Sequence, residues 1–204
     1  MNNIIKKELR DFKCFKEKFN FVQKEISQEN EIFYCDGEIL QQGEEIIGNS
    51  EKWINVGYKL KGPYSKVLSN LFPYEFTFRG KRMCSIESFF QGIKFKNKKM
   101  QDIVLKYSGL EANNIKVASD YDWKKTGIIY WQGKPIKRDS KEYIELVDEL
   151  YISAIQNPLY RSVLKKCDKD VIHSIGVDSK LETVFTRYEF EYQINCLINF
   201  LKKV

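Results

Sequence analysis

The sequence is short of residues on which many enzyme chemistries depend. It holds a single histidine, His173, in 204 residues. A metal centre built from several imidazoles is therefore excluded, as is any mechanism that passes a proton between two histidines. The five cysteines, Cys14, Cys35, Cys84, Cys167 and Cys196, are scattered, and no two form a C-x-x-C pair. That argues against structural zinc and against a thioredoxin-type redox motif, and for reduced, mostly buried thiols in an intracellular protein. No run of eighteen apolar residues occurs, so no membrane-spanning helix is expected. The opening MNNIIKKELRDFK is too polar for the core of a signal peptide. The expected location is cytoplasmic, with no membrane partner.

What the chain does have is aromatic mass. Twelve tyrosines, fourteen phenylalanines and three tryptophans make up 14% of it, ample for a packed core. The net charge of +6 suits phosphate-bearing ligands or weak attraction to nucleic acid, and equally plain solubility. The length fits one large domain with an appendage. Residues 1–31 read as an amphipathic helical extension, with Ile5, Leu9, Phe12, Phe15, Phe19, Val22 and Ile26 on one face. Residues 32–204 read as the domain proper, opening with a glycine-containing, acidic loop at 36–52.

Within that domain the patterning predicts a helix-rich α+β fold with a small sheet early in the chain. Strands are expected at Trp53–Lys59 and Tyr74–Phe78, with FTF-RG-KRM forming a hairpin that turns at Arg79–Gly80. Ser85 is placed to cap a helix over Ile86–Lys96 with Ile86, Phe89, Phe90 and Ile93 inward. A second helix is expected over Lys99–Tyr107, stopped by Gly109. Asp139-Ser-Lys-Glu142 reads as a capping box for a helix running to about Gln156, ended by Asn157-Pro158. Thr186-Arg-Tyr-Glu189 reads as another, opening a C-terminal helix, and Val171–Ile175 as a short strand between the two.

The segment 68–95, LSNLFPYEFTFRGKRMCSIESFFQGIKF, carries the candidate chemistry. Glu87, Gln91 and Lys94 are spaced by four and by three, which puts them on one stripe of the helix. A solvated polar face would have that spacing too. Against it, Phe89, Phe90 and Phe95 border the stripe, and the turn Ser69-Asn70 with Phe72-Pro73 precedes the helix start. An acid, an amide and an amine converging there would suit glycosidic chemistry. A carboxylate can act as acid, base or nucleophile at a sugar carbon, and a desolvated lysine can form a Schiff base with a sugar aldehyde.

The same residues resemble the opening signature of the NADAR family (NAD- and ADP-ribose-associated, YbiA-like domains). The similar positions are Ser69, Asn70, Pro73, Phe76, Gly80, Ser85, Glu87, Gln91, Lys94 and Phe95, and a weaker similarity runs over residues 32–204 through Trp131, Asn157-Pro158-Leu159 and Leu164. The resemblance implies a YbiA-like domain and an N-glycosidase without a cofactor or metal. It implies removal of ADP-ribose from a modified guanine, or hydrolysis of phosphorylated riboflavin-pathway intermediates. The substrate would be a small molecule carrying ADP-ribose or phosphoribose, or ADP-ribosylated DNA. Glu87 and Lys94 would be the catalytic pair, with either one as nucleophile. Ser69, Asn70, Phe72, Gln91, Trp131, Arg138 and Arg187 would bind substrate. The chain departs from the family's Asp-x-x-Trp-Gly-x-Gly stretch near the C-terminus, where Arg187, Glu189 and Glu191 stand instead. Two other classes fit the sequence as well: a non-catalytic ADP-ribose or NAD sensor, and a nucleic-acid-binding module led by the basic N-terminal segment. Trp123 reads as partly exposed, and His173 as a strand histidine with its hydrogen bonds satisfied.

Overall fold

A computed structural model describes residues 53–60, 63–115 and 122–203. The amphipathic extension at 1–31, the boundary after it and the loop at 36–52 lie outside the described residues.

Among the described residues the fold is α+β and helix-rich, a single domain of helices with three two-stranded sheets. Strand β1 (Trp53–Asn55) pairs in parallel with β6 (Asp170–Ile172), joining the two ends of the described chain. A short helix α1 (Pro63–Val67) follows β1. The hairpin β2 (Phe76–Phe78) and β3 (Lys81–Met83) turns at Arg79–Gly80, as the sequence suggests. Both turn residues have positive φ, 47° and 72°, the conformation that a two-residue hairpin turn requires and that glycine adopts without cost. The expected early sheet is thus two separate pieces, one of them closed only by a strand from late in the chain.

Helix α2 (Ile86–Gly92) is shorter than predicted, but Ser85 caps it, accepting from the Ser88 N–H at 3.0 Å. All four residues expected inward are buried. Helix α3 (Lys98–Val104) follows. Gly109, expected to stop it, instead begins α4 (Gly109–Asn113), which Ser108 and Glu111 open with a capping box. The glycine is needed for packing: a Cβ there would stand 2.2 Å from the Leu71 carbonyl oxygen.

Helix α5 (Trp123–Thr126) leads into a second hairpin, β4 (Ile128–Trp131) and β5 (Lys134–Lys137). Its turn, Gln132–Gly133, again has two positive φ values, 50° and 83°. Buried Gln101 ties this hairpin to the segment after α2. Its amide nitrogen donates to the carbonyls of Phe95 and Tyr130, and its oxygen accepts from the Gln132 N–H. Helix α6 (Lys141–Ala154) is capped by Ser140 rather than Asp139. Asn157-Pro158 ends that region and at once opens α7 (Pro158–Lys166), with Asn157 as the cap and proline in the first turn. Thr186 and Glu189 form the expected capping box of α8 (Arg187–Leu201).

The core is aromatic. Phe78 and Phe89 meet edge to face at 5.5 Å, and Trp131 packs on both. Tyr74 stacks on Tyr160 at 4.7 Å. Trp123, expected near the surface, is buried.

Candidate functional site

Four pieces of chain converge on a cavity of about 250 Å³. The polar stripe of α2 brings Glu87, Gln91 and Lys94, and the turn before β2 brings Ser69, Asn70 and Leu71. The segment after β6 supplies His173 and Gly176, and the lead into α8 supplies Phe185 and Arg187. The stripe therefore lines a half-open cleft and not a flat solvated face. Phe185 stacks on Phe90 at 4.2 Å with the rings 18° apart, forming an apolar wall beside the carboxylate.

The three stripe residues form one hydrogen-bonded chain. Gln91 Nε2 donates to Glu87 Oε1 at 2.6 Å, and Lys94 Nζ donates to Gln91 Oε1 at 2.8 Å. Gln91 thus fixes its amide orientation by serving an acceptor on one side and a donor on the other. Burial dominates the electrostatics at both ends. It raises the Glu87 carboxyl above the ordinary range, against the lowering effects of the Gln91 hydrogen bond and of Lys94. Burial also lowers the Lys94 ammonium below its usual value, opposed by attraction to Glu87 and assisted by repulsion from Lys124. Each group is pushed toward its neutral form. Lys94 and Lys124 lie 6.0 and 5.8 Å from the centre of the Trp123 ring.

The turn is held in place from its backbone and its side chain. The Glu87 N–H donates to the Asn70 carbonyl at 2.9 Å. Asn70 Oδ1 accepts from the buried Tyr151 hydroxyl at 2.8 Å. With its oxygen so engaged, the Asn70 amide keeps its N–H₂ group as a donor, and the residue lines the cavity. Ser69 caps the turn itself, its hydroxyl accepting from the Leu71 N–H at 3.3 Å.

At the opposite side His173 Nδ1 is 2.7 Å from the Val56 carbonyl oxygen. A carbonyl can only accept, so Nδ1 carries the proton and the neutral ring has its lone pair on Nε2. Its Nδ1 is hydrogen-bonded, but His173 lies just past β6 and not within a strand as expected, and it also lines the cavity. Gly176 permits this arrangement, because a Cβ there would fall 2.6 Å from His173 Cδ2 and 2.8 Å from Arg187 Cβ. Arg187 lies over the Tyr188 ring, 4.7 Å from its centre. Its Nη2 donates to Asp178 at 3.1 Å, while Nε lies 2.8 Å from the same carboxylate but off the N–H direction.

Of the residues assigned from sequence, the cavity gathers Glu87, Lys94, Ser69, Asn70, Gln91 and Arg187. It does not gather Phe72, Trp131 or Arg138. Phe72 packs against the core beside Tyr74. Trp131 sits behind Phe78 and Phe89, where aromatic burial and not ligand stacking accounts for it. Arg138 is consumed by structure: it donates to the Val184 carbonyl and to Glu189, and it pairs with Asp139. Tyr151 and Phe185 were not singled out from the sequence. Their roles depend on contacts made across 81 and 95 positions of the chain, which no local pattern reveals.

Among the described residues no group of three or more His, Cys, Asp or Glu side chains is arranged to hold a metal ion. No helix among them is long and apolar enough to cross a membrane.

The model of the family described as bacteriophage protein GP30.3 matches residues 63–199. The chain is also 33% identical over 138 residues to an uncharacterized 17.1 kDa protein in the Gp30-rIII intergenic region of enterobacteria phage T4. That alignment covers 65% of this chain and 89% of the phage protein. No solved structure matches. These findings overturn the resemblance to the NADAR family. Five of the ten positions that carry it, Gly80, Ser85, Glu87, Gln91 and Lys94, are explained locally by a hairpin turn, a helix cap and a polar stripe on one helix face, features that unrelated chains also need. By the match over residues 63–199, the chain belongs to the bacteriophage GP30.3 family.

Proposed function

We propose that the cavity is an active site that cleaves N-glycosidic bonds of ribosyl compounds, with Lys94 as nucleophile and Glu87 as proton shuttle. The observation that carries this reading is the Glu87–Gln91–Lys94 chain, whose two ionisable ends are both shifted toward neutrality inside one cavity. A protonated carboxyl and an unprotonated amine are the forms that general-acid and nucleophilic catalysis require. Perturbed groups of opposite type in one cleft also mark functional sites more often than scaffold.

The steps follow from those forms. The Lys94 amine bonds to the sugar C1 as the C1–N bond to the base breaks. The electron pair leaves with the base nitrogen, which takes the Glu87 proton. The Lys94 nitrogen then gives up its surplus proton to the Glu87 carboxylate. The ring opens to a Schiff base, and water adds at C1 to release the sugar and restore the amine. Gln91 keeps the two groups in register. The Asn70 amide donates to a sugar hydroxyl, and the Phe90–Phe185 wall covers the ring. The cavity is smaller than the roughly 300–1,000 Å³ of common ligand pockets, which suits one sugar ring with its immediate substituents. Five scattered cysteines without a C-x-x-C pair suit an intracellular, reducing setting.

Base release from a panel of ribonucleosides and ribonucleotides tests the activity. Borohydride added during turnover should trap a sugar on Lys94, located by peptide mass spectrometry. Turnover with no adduct removes the lysine from the nucleophile's role. Binding without base release on every member of the panel sinks the enzymatic reading.

A further inference from the structure

The outer face of α3 and of the turn into α4 has no part in the proposed reaction, and its composition is unusual for a solvated helix. Met100, Ile103, Tyr107 and Leu110 are exposed over 40, 46, 38 and 41% of their surfaces. On the other side of the helix, Gln101, Val104 and Leu105 are buried. The Tyr107 N–H donates to the Val104 carbonyl at 3.0 Å, so the winding continues past the end of α3. At about 100° per residue, Met100, Ile103 and Tyr107 then share an arc of about 60°. Exposed apolar side chains that cluster inside a polar rim mark contact surfaces, where scattered ones do not.

Lysines form that rim. Lys99 and Lys106 fall on the adjoining arc by the same count, and Lys96 and Lys98 flank the start of α3, all four of them exposed. Among the described residues none of the four is in an ion pair. The two acids of this stretch are already engaged. Asp102 pairs with Lys81 at 2.9 Å and accepts from Gln132, and Glu111 accepts from the Ser108 N–H at the start of α4. The face is therefore net positive beside its apolar tips.

That combination selects its partner. Protein interfaces are poor in lysine and rich in arginine, and arginine is also the preferred reader of nucleic acid. Residues 96–111 hold four lysines and no arginine. Aliphatic tips, moreover, gain nothing from a sugar–phosphate backbone. An anionic lipid surface uses both features. Ammonium groups need no fixed geometry against headgroups, and their long stems keep the charge at headgroup level while neighbouring apolar tips enter the acyl boundary. That no described helix can cross a bilayer has no bearing on a helix lying against one.

We propose that the α3–α4 face rests on an anionic lipid bilayer, with Met100, Ile103 and Leu110 entering the headgroup boundary and Lys96, Lys98, Lys99 and Lys106 meeting the lipid phosphates. The contact is peripheral, and it departs from the sequence expectation of no membrane partner. It is independent of the proposed glycosidic chemistry.

Co-sedimentation of the full chain with vesicles of roughly 3:1 phosphatidylcholine and phosphatidylglycerol tests this, against vesicles of phosphatidylcholine alone. The anionic vesicles should bind at least about tenfold more tightly, and the difference should shrink as salt is raised. Lys99→Ser combined with Lys106→Ser should weaken binding by about 25-fold, near fivefold for each lysine. Lys165→Ser combined with Lys166→Ser removes the same charge from exposed positions on α7 and should change binding by less than about threefold. Ile103→Ser keeps the charge, removes one apolar tip and should weaken binding by about fivefold. All these side chains are exposed, so circular dichroism should stay unchanged. Absence of binding to the anionic vesicles overturns the proposal. So does an equal loss from both lysine pairs, which would reduce the effect to overall charge, or unchanged binding in Ile103→Ser. A DNA duplex that binds as tightly as the vesicles and depends on Lys99 and Lys106 would assign the face to nucleic acid instead. A dimer that Ile103→Ser dissolves would assign it to a second copy of the chain.

Discussion

Two clusters of charged side chains are held inside this protein, and they are built on opposite principles. Around Arg138 the charges are matched. The guanidinium, 5% exposed at its side chain, donates to the Val184 carbonyl at 2.9 Å and to Glu189 at 2.8 Å, and Asp139 lies 3.3 Å away. Along α2 the charges are strung out instead. Glu87 and Lys94 do not touch but communicate through the neutral Gln91. The first arrangement satisfies its ions and fixes the lead into α8. The second leaves each ion short of compensation, and both titrations shift toward the neutral form. Residue type alone does not separate a structural cluster from a reactive one. On the proposed reading, the completeness of the pairing does.

The comparison breaks most visibly at Arg138. Arg138→Leu removes a donor from Glu189 and from the Val184 carbonyl, which keep their bonds from Thr186 and from the Tyr143 hydroxyl. Losing charge-assisted hydrogen bonds of this part-buried kind costs about 1.5–3 kcal/mol. Urea unfolding should show a loss of that size, and activity should fall only as the folded fraction falls. If Arg138→Leu abolishes activity in a protein that is still fully folded, the arginine belongs to the site after all.

Glu87→Gln should do the reverse, with activity lost and stability gained. Loss of a general acid lowers turnover by about 10²–10⁴-fold. The sign of the stability change follows from linkage. Glu87 has a raised folded-state value, so between its unfolded and folded values the native state binds the extra proton. Stability therefore falls as pH rises through that window and stays lower above it. Lys94 is the mirror case. Its lowered folded-state value means that the unfolded chain binds the extra proton, and stability climbs with pH up to the ordinary lysine range. Glu87→Gln and Lys94→Met should each raise Tm at neutral pH. The pH profile of kcat/KM in the wild type should be a bell, rising as Lys94 loses its proton and falling as Glu87 loses its own. Glu87→Gln should remove the falling limb from whatever activity remains. A lower Tm for both variants would place this chain among structural clusters with Arg138.

How much of this contrast the sequence disclosed depends on how far apart in the chain the partners stand. Ser85, the Arg79–Gly80 turn and the Thr186–Glu189 box act over two to four positions, and each is legible. So is the stripe Glu87–Gln91–Lys94, because helical spacing alone aligns it. The parallel pairing of β1 with β6 spans 117 positions, and nothing local encodes which strand will be the partner. The Gln132–Gly133 hairpin escaped because its second strand carries Pro135 between Lys134 and Ile136-Lys137, a poor strand signature. Trp131 and Arg138 were misassigned to the site for one reason. An isolated aromatic or arginine reads the same whether it meets a ligand or a buried neighbour. The contact decides, and contacts are tertiary.

A smaller test probes the wall behind the site. Gly109 begins α4, and a methyl group there would meet the Leu71 carbonyl at 2.2 Å. Backbone must move to admit it. Gly109→Ala should cost about 1–3 kcal/mol, the usual range for overpacking, and it should also raise KM, because Leu71 follows Asn70 in the cavity wall. A stability loss with KM unchanged would mean that α4 yields and the turn does not.

The finest distinction concerns Tyr151, which belongs to both worlds. Its ring is fully buried and lies 5.8 Å from Phe185, so it is part of the scaffold. Its hydroxyl donates to Asn70 Oδ1 at 2.8 Å, so it also fixes the orientation of the Asn70 amide. Tyr151→Phe keeps the ring and removes only that donor. The part-buried Asn70 oxygen then loses that partner, and the amide is free to turn over. A lost hydrogen bond of this kind is worth about 1 kcal/mol, which predicts roughly a fivefold rise in KM with little change in kcat. Asn70→Ala in the same background decides whether the effect runs through the amide. If Tyr151→Phe has no further effect once Asn70 is gone, the hydroxyl acts by orienting that side chain. If the two losses simply multiply, the tyrosine contributes through packing, and it belongs with Arg138 in the matched, structural half of the molecule.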